Sequence, residues 1–336
     1  MRKPVAVYTD LVDTDPAPGV ELLEQAGFTV RFARSPAPAD IVTVAEDAVA
    51  LLLGYAEVGR ALLDALPRVR LVAAQSAGYD MVDLDACRER GIWVTNVPGA
   101  ATEEVASHAL AMTLALLRGL PQLHHDVRAG VWDGTRHELR RLSEVTVGVI
   151  GLGRIGRRYA DCVRPLVGRV VGHDPVVTTV DGVESLGLDT LLACSDVVSL
   201  HLPLTDATWG LLDSRRLGLM RKGASIVNVS RAGLVDHRGL MQCLEEGRMS
   251  GAALDVLPQE PPEPDDPLVR HPRVLATPHV AYLSAASSLD YVLEQARNVA
   301  EWHIHGRPVS VVIEGKPTVT GGHSLTKPVL DRAKAL

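Results

Sequence analysis

Short apolar runs recur along the chain, separated by segments whose apolar positions return at helical spacing. In the first hundred residues the runs fall at 5–8, 29–32, 49–53, 71–74 and 92–94, with helical patterns between several of them, as at 19–26 and 58–66. Runs this short and this uniformly apolar predict strands covered on both faces. Their alternation with helices predicts an α/β unit with a mostly parallel sheet. From residue 147 the same pattern resumes at 147–150, 170–173, 197–200, 225–229, 252–254 and 274–276. Those six runs predict a second, doubly wound parallel sheet.

Two helical segments link these halves. In 102–117, Thr102 is placed to cap the helix, and Glu103 and Glu104 suit the positive end of its dipole. Its body is apolar on nearly every side (Ala106, Ala109, Leu110, Met112, Leu114, Leu116, Leu117), which predicts burial between the domains. The return segment, 289–305, leads to a strand-like run at 309–313. The organisation expected is discontinuous: residues 1–99 with 288–336 form one flavodoxin-like domain, and 100–287 form a six-stranded Rossmann domain inserted into it. The last twenty residues, rich in Gly, Thr and Lys, lack periodicity and are expected to be a mobile tail.

Bulk properties narrow the function. A length of 336 residues allows two domains with cores of their own. Acidic residues outnumber basic ones by 41 to 34, which argues against a nucleic-acid surface. The four cysteines (Cys87, Cys162, Cys194, Cys243) are scattered, with no paired spacing for zinc, and fit a reducing compartment. The N-terminal apolar run ends at Asp10, too soon for a signal peptide, and 105–117 is too short to cross a bilayer. A cytoplasmic protein with no membrane partner and no metal is expected.

The most specific motif is VGVIGLGRIG at 147–156. An apolar strand is followed by Gly151, Gly153 and Gly156, which supply a tight turn, close approach to a pyrophosphate and close helix packing. Arg154 and Ile155 open the following helix, whose amides and dipole suit the phosphates. Asp174 lies eighteen residues beyond Gly156, at the end of the next apolar run. A carboxylate there accepts hydrogen bonds from a ribose 2′-hydroxyl and repels a 2′-phosphate, and Pro175, Val176 and Val177 bring no cation. The cofactor expected is NAD.

Three later runs each end in polar residues: Asn228 to Arg231, Asp255 to Glu260, and Thr277 to His279. Ligands of open α/β sheets bind beyond the carboxyl ends of strands, so these residues are expected to converge. At this point the chain resembles the D-isomer-specific 2-hydroxyacid dehydrogenase family. The resemblance rests on VGVIGLGRIG, LHLPLT (200–205), NVSRAGLVD (228–236), GAALDVLPQEP (251–261) and TPH (277–279), in order, across about residues 69–306. It implies two Rossmann-like domains and NAD-dependent interconversion of a small 2-keto acid with its D-2-hydroxy acid. Arg231, with its planar fork, suits the substrate carboxylate and carbonyl. His279 gives or takes the hydroxyl proton, and Glu260 orients the imidazole.

The resemblance also implies that Ser76, Ala77 and Gly78 anchor the substrate, with Gly54, Tyr55 and Tyr282 as further substrate contacts. Around the cofactor it places Thr102, Pro175, His201, Pro203 and Thr208, together with Val229, Ser230, Asp255, His279 and Ala281. Asp255 in particular is expected near the nicotinamide carboxamide. His108, His124, His125 and His137 belong to no motif. A homodimer is implied, with 105–117 and the loop around Trp132 as candidate contacts.

The sequence departs from the family pattern in places. Ala232 stands where a glycine is common, which puts the local geometry at Arg231 in question. Ser107 replaces an acidic residue of many relatives. Tyr282 replaces a tryptophan of some, either lining the pocket or covering the nicotinamide. Two alternatives remain. Corepressors of the C-terminal-binding-protein type share the fold and NAD, so a cofactor-sensing binding protein is one. Oxidation of formate or phosphite is the other, although formate enzymes carry Gln where Glu260 stands.

Overall fold

A computed structural model describes residues 3–10, 14–137 and 139–316; the expected tail, 317–336, lies outside the described residues. The chain divides into two compact units, residues 1–100 with 288–336, and residues 101–287.

Among its described residues the first unit holds five parallel strands, β1 (Val5–Tyr8), β2 (Thr29–Phe32), β3 (Ala48–Leu53), β4 (Leu71–Ala74) and β5 (Trp93–Thr95). Their spatial order is β2-β1-β3-β4-β5, the flavodoxin-like arrangement. Successive residues of one strand enter different cores because side chains alternate across a sheet. Val7, Leu51, Leu53 and Val72 pack on one face. Ala6, Ala50, Leu52, Leu71 and Ala73 pack on the other, with Leu23, Phe28, Trp93 and Trp302. Both tryptophans there are almost wholly buried. The helix Ala285–His305 also caps the sheet: Gln295 donates to the carbonyls of Leu53 (3.1 Å) and Ala73 (2.8 Å).

Residues 309–313 do not form the expected strand. They make a single antiparallel bridge, between Ile313 and Val94. The physical reason is competition for the backbone: the amide of Ser310 is held by the Asn298 side chain at 2.8 Å.

The second unit is a seven-stranded parallel sheet rather than the six-stranded one expected. The strands are β6 (Thr146–Ile150), β7 (Arg169–His173), β8 (Glu184–Ser185), β9 (Val197–Leu200), β10 (Ala224–Asn228), β11 (Met249–Leu254) and β12 (Val274–Ala276). Their order is β12-β11-β10-β9-β6-β7-β8. The added strand, β8, is two exposed residues beside β7, too short and too polar to leave a periodic signal. The chain leaves β6 for β7 on one side and returns to β9 on the other, which makes the β6/β9 boundary a topological switch point. Ile150, Leu200, Ile226 and Leu254 fill the core beneath it.

The helix Thr102–Leu117 begins after Ala101, so Thr102 is its first residue and not its cap. Val105, Ala106, Ala109, Met112, Thr113 and Leu117 face inward, while Ser107 and Ala111 are exposed. The remaining two tryptophans of the chain belong to this unit, with Trp132 90% and Trp209 70% exposed.

Candidate active site

The glycine turn shows why each glycine stands where it does. Gly151 has φ +90°, and a Cβ there would lie 2.3 Å from the carbonyl oxygen of His201. At Gly156 a Cβ would lie 1.9 Å from the carbonyl oxygen of Gly151, so only glycine lets the helix close on the turn. Gly153 differs: a Cβ there meets nothing within 4 Å. It opens the ten-residue helix Arg154–Val163, which has no side-chain cap. Unsatisfied amides at a helix start beside open space fit a pyrophosphate. Arg154 is exposed and Ile155 half-buried at that start.

Asp174 ends β7 with its carboxylate already engaged. Oδ2 accepts from the amide of Leu152 at 2.8 Å, and Oδ1 from those of Val176 (2.8 Å) and Val177 (2.9 Å). Burial pushes its pKa up, but the three amides outweigh burial and hold it below the usual carboxylate range. The remaining acceptor capacity suits ribose hydroxyls, and Pro175 and Val176 beside it are exposed and uncharged.

His201, on the far side of the turn, is 9% exposed. Its Nε2 is 2.9 Å from Ser199 Oγ and its ring packs against Tyr159, 4.8 Å between centroids. Burial lowers its pKa to about 3, so the ring is neutral. Its side chain therefore supports the turn from within the core. Thr208 closes the adjoining loop by donating to the carbonyl of Pro203 at 2.8 Å while accepting from the amide of Thr205.

His279, Glu260 and Arg231 lie at the carboxyl ends of β12, β11 and β10. His279 Nδ1 is 2.7 Å from Glu260 Oε2, and Glu260 Oε1 accepts from the amide of Leu257 at 2.8 Å. Burial raises the Glu260 pKa; the bonds from His279 and Leu257 and the nearby positive charge of Arg231 outweigh it, and the net shift is down. An ionised carboxylate only accepts, so Nδ1 carries a proton toward Glu260.

The backbone of His279 is unusual. Its φ of +53° is the only left-handed value of a non-glycine residue among the described residues. Such a conformation costs on the order of 1 kcal/mol or more and persists where surroundings enforce it. Asp255 supplies that enforcement. Its carbonyl accepts from the His279 amide, and its carboxylate accepts from the amides of Val280 and Ala281, each at 2.9 Å. Thr277 Oγ1 donates to the same carboxylate at 2.6 Å. Asp255, expected near a nicotinamide carboxamide, has a side chain 1% exposed whose printed hydrogen bonds go to the His279 loop.

Arg231 sits between β10 and a short 3₁₀ turn, Ala232–Leu234. Asn228, fully buried, builds this corner by donating to the Arg231 carbonyl (2.9 Å) and accepting from the Ser230 amide (3.0 Å). Ser230 Oγ donates to the Leu200 carbonyl at 2.8 Å, which ties the corner to β9. Ala232 is absent from the left-handed region, so this turn does not need the glycine common in the family. Val229 and Ala281 are buried nearby along the same strand ends. Tyr282 meets the His279 ring edge-on, 6.4 Å between centroids. Sequence reasoning placed Asn228 and Thr277 among the converging strand ends but gave them no role of their own, because a polar residue at a strand end carries no signal of what it bonds.

In the first unit, Gly54, Tyr55, Ser76, Ala77 and Gly78 also follow strand ends. The amides of Gly54 (3.0 Å) and Tyr55 (2.6 Å) are taken by the carboxylate of Asp10, which removes them as anion donors. Ser76 Oγ donates to the Gly78 carbonyl at 2.6 Å, folding that loop on itself.

Residues 110–281 match the family model for the NAD binding domain of D-isomer specific 2-hydroxyacid dehydrogenases. The chain belongs to this family. Its cofactor is NAD, in agreement with the glycine cradle and Asp174. Over 294 residues the chain is 33% identical to a glyoxylate reductase of Thermofilum pendens, covering 84% of this chain and 86% of that one. It is 36% identical over 233 residues to a D-3-phosphoglycerate dehydrogenase of Archaeoglobus fulgidus. That match covers 68% of this chain but 44% of the relative, so it spans less than half the length of that protein. Among solved structures, a D-lactate dehydrogenase from Aquifex aeolicus complexed with NAD and lactic acid gives a TM-score of 0.79 at 30% identity. The likeness covers 90% of this chain and 96% of that one.

Proposed function

We propose that the protein is an NAD-dependent oxidoreductase that interconverts a small 2-keto acid and its D-2-hydroxy acid. The observation that carries this is the 2.7 Å contact between His279 Nδ1 and Glu260 Oε2, a pairing that orients the imidazole and suits it to exchange a proton with the substrate oxygen. Bound NADH supplies the hydride. As the keto carbon receives it, the carbonyl oxygen takes the Nε2 proton and becomes the hydroxyl. Arg231 holds the negative substrate and stays charged throughout. In the oxidative direction His279 takes the proton back while Glu260 stabilises the resulting imidazolium.

Glyoxylate is the first substrate to offer, because the glyoxylate reductase of Thermofilum pendens matches over most of both chains. The binding-protein and small-oxyanion readings are disfavoured by the ionised Glu260 beside His279, which serves a hydroxyl proton. A homodimer is supported by exposed apolar side chains within 120–132, where Leu120 is 56%, Val127 53% and Trp132 90% exposed. Four free cysteines support a reducing cytoplasmic location.

The test is NADH consumption against a panel of 2-keto acids led by glyoxylate, with NADPH in parallel. Turnover with NADH and not NADPH supports the proposal. Tight NADH binding with no turnover on any keto acid would remove it.

A further inference from the structure

His108 belongs to no motif, yet it touches the network that sets the His279 backbone. It lies in the helix Thr102–Leu117, its side chain half-buried at 25% exposed. Its Nε2 is 3.1 Å from Thr277 Oγ1 and 3.8 Å from Asp255 Oδ1. The proton inventory fixes the direction of this chain. Thr277 has one hydroxyl proton, and at 2.6 Å it goes to the Asp255 carboxylate. The hydroxyl can then only accept from His108, so Nε2 carries a proton there.

We infer that His108 is a positioning residue for the imidazole of His279, acting through Thr277 and the Asp255 carboxylate. The inference rests on the proposed role of His279 as acid and base. Asp255 is almost completely removed from water, and such a carboxylate has to be met by donors on all sides. Two of its donors are the amides of Val280 and Ala281, immediately after the left-handed His279. The third is the Thr277 hydroxyl, which can aim correctly only while His108 donates to it. Without that donation Thr277 is free to turn, one donor leaves the carboxylate, and the loop carrying His279 loses part of its anchor. Small misplacements of a catalytic group cost rate steeply, on the order of 100-fold for 1 Å. Loosening short of that predicts a loss of about 10-fold in turnover.

The experiment uses the full-length protein with His108→Leu, His108→Gln, Thr277→Val and the double variant His108→Leu/Thr277→Val. Glyoxylate reduction and hydrogen exchange at the amides of 279–281 are measured together. Gln offers an N–H at a reach similar to Nε2 and serves as the conservative rescue. Expected is an about 10-fold fall in kcat for His108→Leu with KM for keto acid and NADH little changed, faster exchange at 279–281, and recovery of both by His108→Gln. The double variant should be no worse than the more impaired single variant, since both break one chain. Unchanged kcat and exchange in His108→Leu, no rescue by Gln, or additive losses in the double variant would each overturn the inference. Should the wild-type protein reduce no keto acid, the exchange measurement still decides whether His108 anchors the loop, separately from the role of His279.

Discussion

Gly153 gives the sharpest separation between holding the fold and holding the cofactor. Replacing it with alanine adds a methyl group where nothing lies within 4 Å, at a backbone φ of −68° that any residue accepts. The stability terms nearly cancel. Alanine removes freedom from the unfolded chain, worth about 0.4–1 kcal/mol, and is a poorer helix N-cap than glycine by a similar amount. The melting temperature should therefore stay within about 4 °C of wild type. Cofactor binding should respond quite differently, because the methyl group occupies the space beside the first amides of the helix Arg154–Val163. A hydrogen bond to a charged group is worth about 1.5–3 kcal/mol, so losing two of them weakens NADH binding by roughly 100-fold or more. Titration of NADH by calorimetry, with thermal unfolding of the same samples, reads both quantities. Gly151→Ala and Gly156→Ala are the contrasting controls: their added atoms collide with backbone oxygens at 2.3 and 1.9 Å, and both should lose stability. Gly153→Ala that binds NADH within threefold of wild type would refute the assignment of this space to the pyrophosphate.

Other expectations concern the proton machinery and the core. His279→Ala should lower turnover by at least ~100-fold, with NADH affinity retained; full activity in steady-state assays would end its assignment. Glu260→Gln removes the charge beside the imidazole, so the pH profile of keto acid reduction should move to lower pH, and an unmoved profile would take Glu260 out of that role. His201 gives a prediction for stability. The unfolded chain takes up a proton at this histidine near 6.5 and the folded chain not until about 3. The unfolded state therefore binds more protons as pH falls from about 6.5, and its contribution to stability should drop by about 1.4 kcal/mol per pH unit through that window. Urea unfolding at pH 7, 6 and 5 should show a shallower loss in His201→Asn than in wild type; parallel losses would contradict the buried neutral ring.

Much of the fold was legible because parallel strands buried on both faces leave uniform apolar runs, as in Val197–Leu200 and Leu71–Ala74. What failed to show lacked such runs. The two exposed residues of β8 carry no pattern, and the run at 309–313 has strand composition but spends a backbone donor on Asn298. Residue identities in the motifs pointed to Glu260, His279 and Arg231, and the structure gathers all three at neighbouring strand ends. The sequence could not say which polar groups were already satisfied. Asp255 and the amides of Gly54 and Tyr55 are consumed inside the protein, and only the folded geometry reveals those partners. His108 was illegible for the same reason, since its partner Thr277 lies 169 positions along the chain.

The placement of the tryptophans has a practical consequence. Both buried ones, Trp93 and Trp302, belong to the first unit, and both exposed ones, Trp132 and Trp209, to the second. Indole emission is bluer in an apolar core than in water, so the wild-type protein carries a two-colour fluorescence label of its own. The blue edge of the spectrum reports loss of the first core during denaturation. Quenching of the red edge by iodide reports what covers the surface of the second. Whether the two units melt together or in sequence can thus be read from one unlabelled sample at two wavelengths.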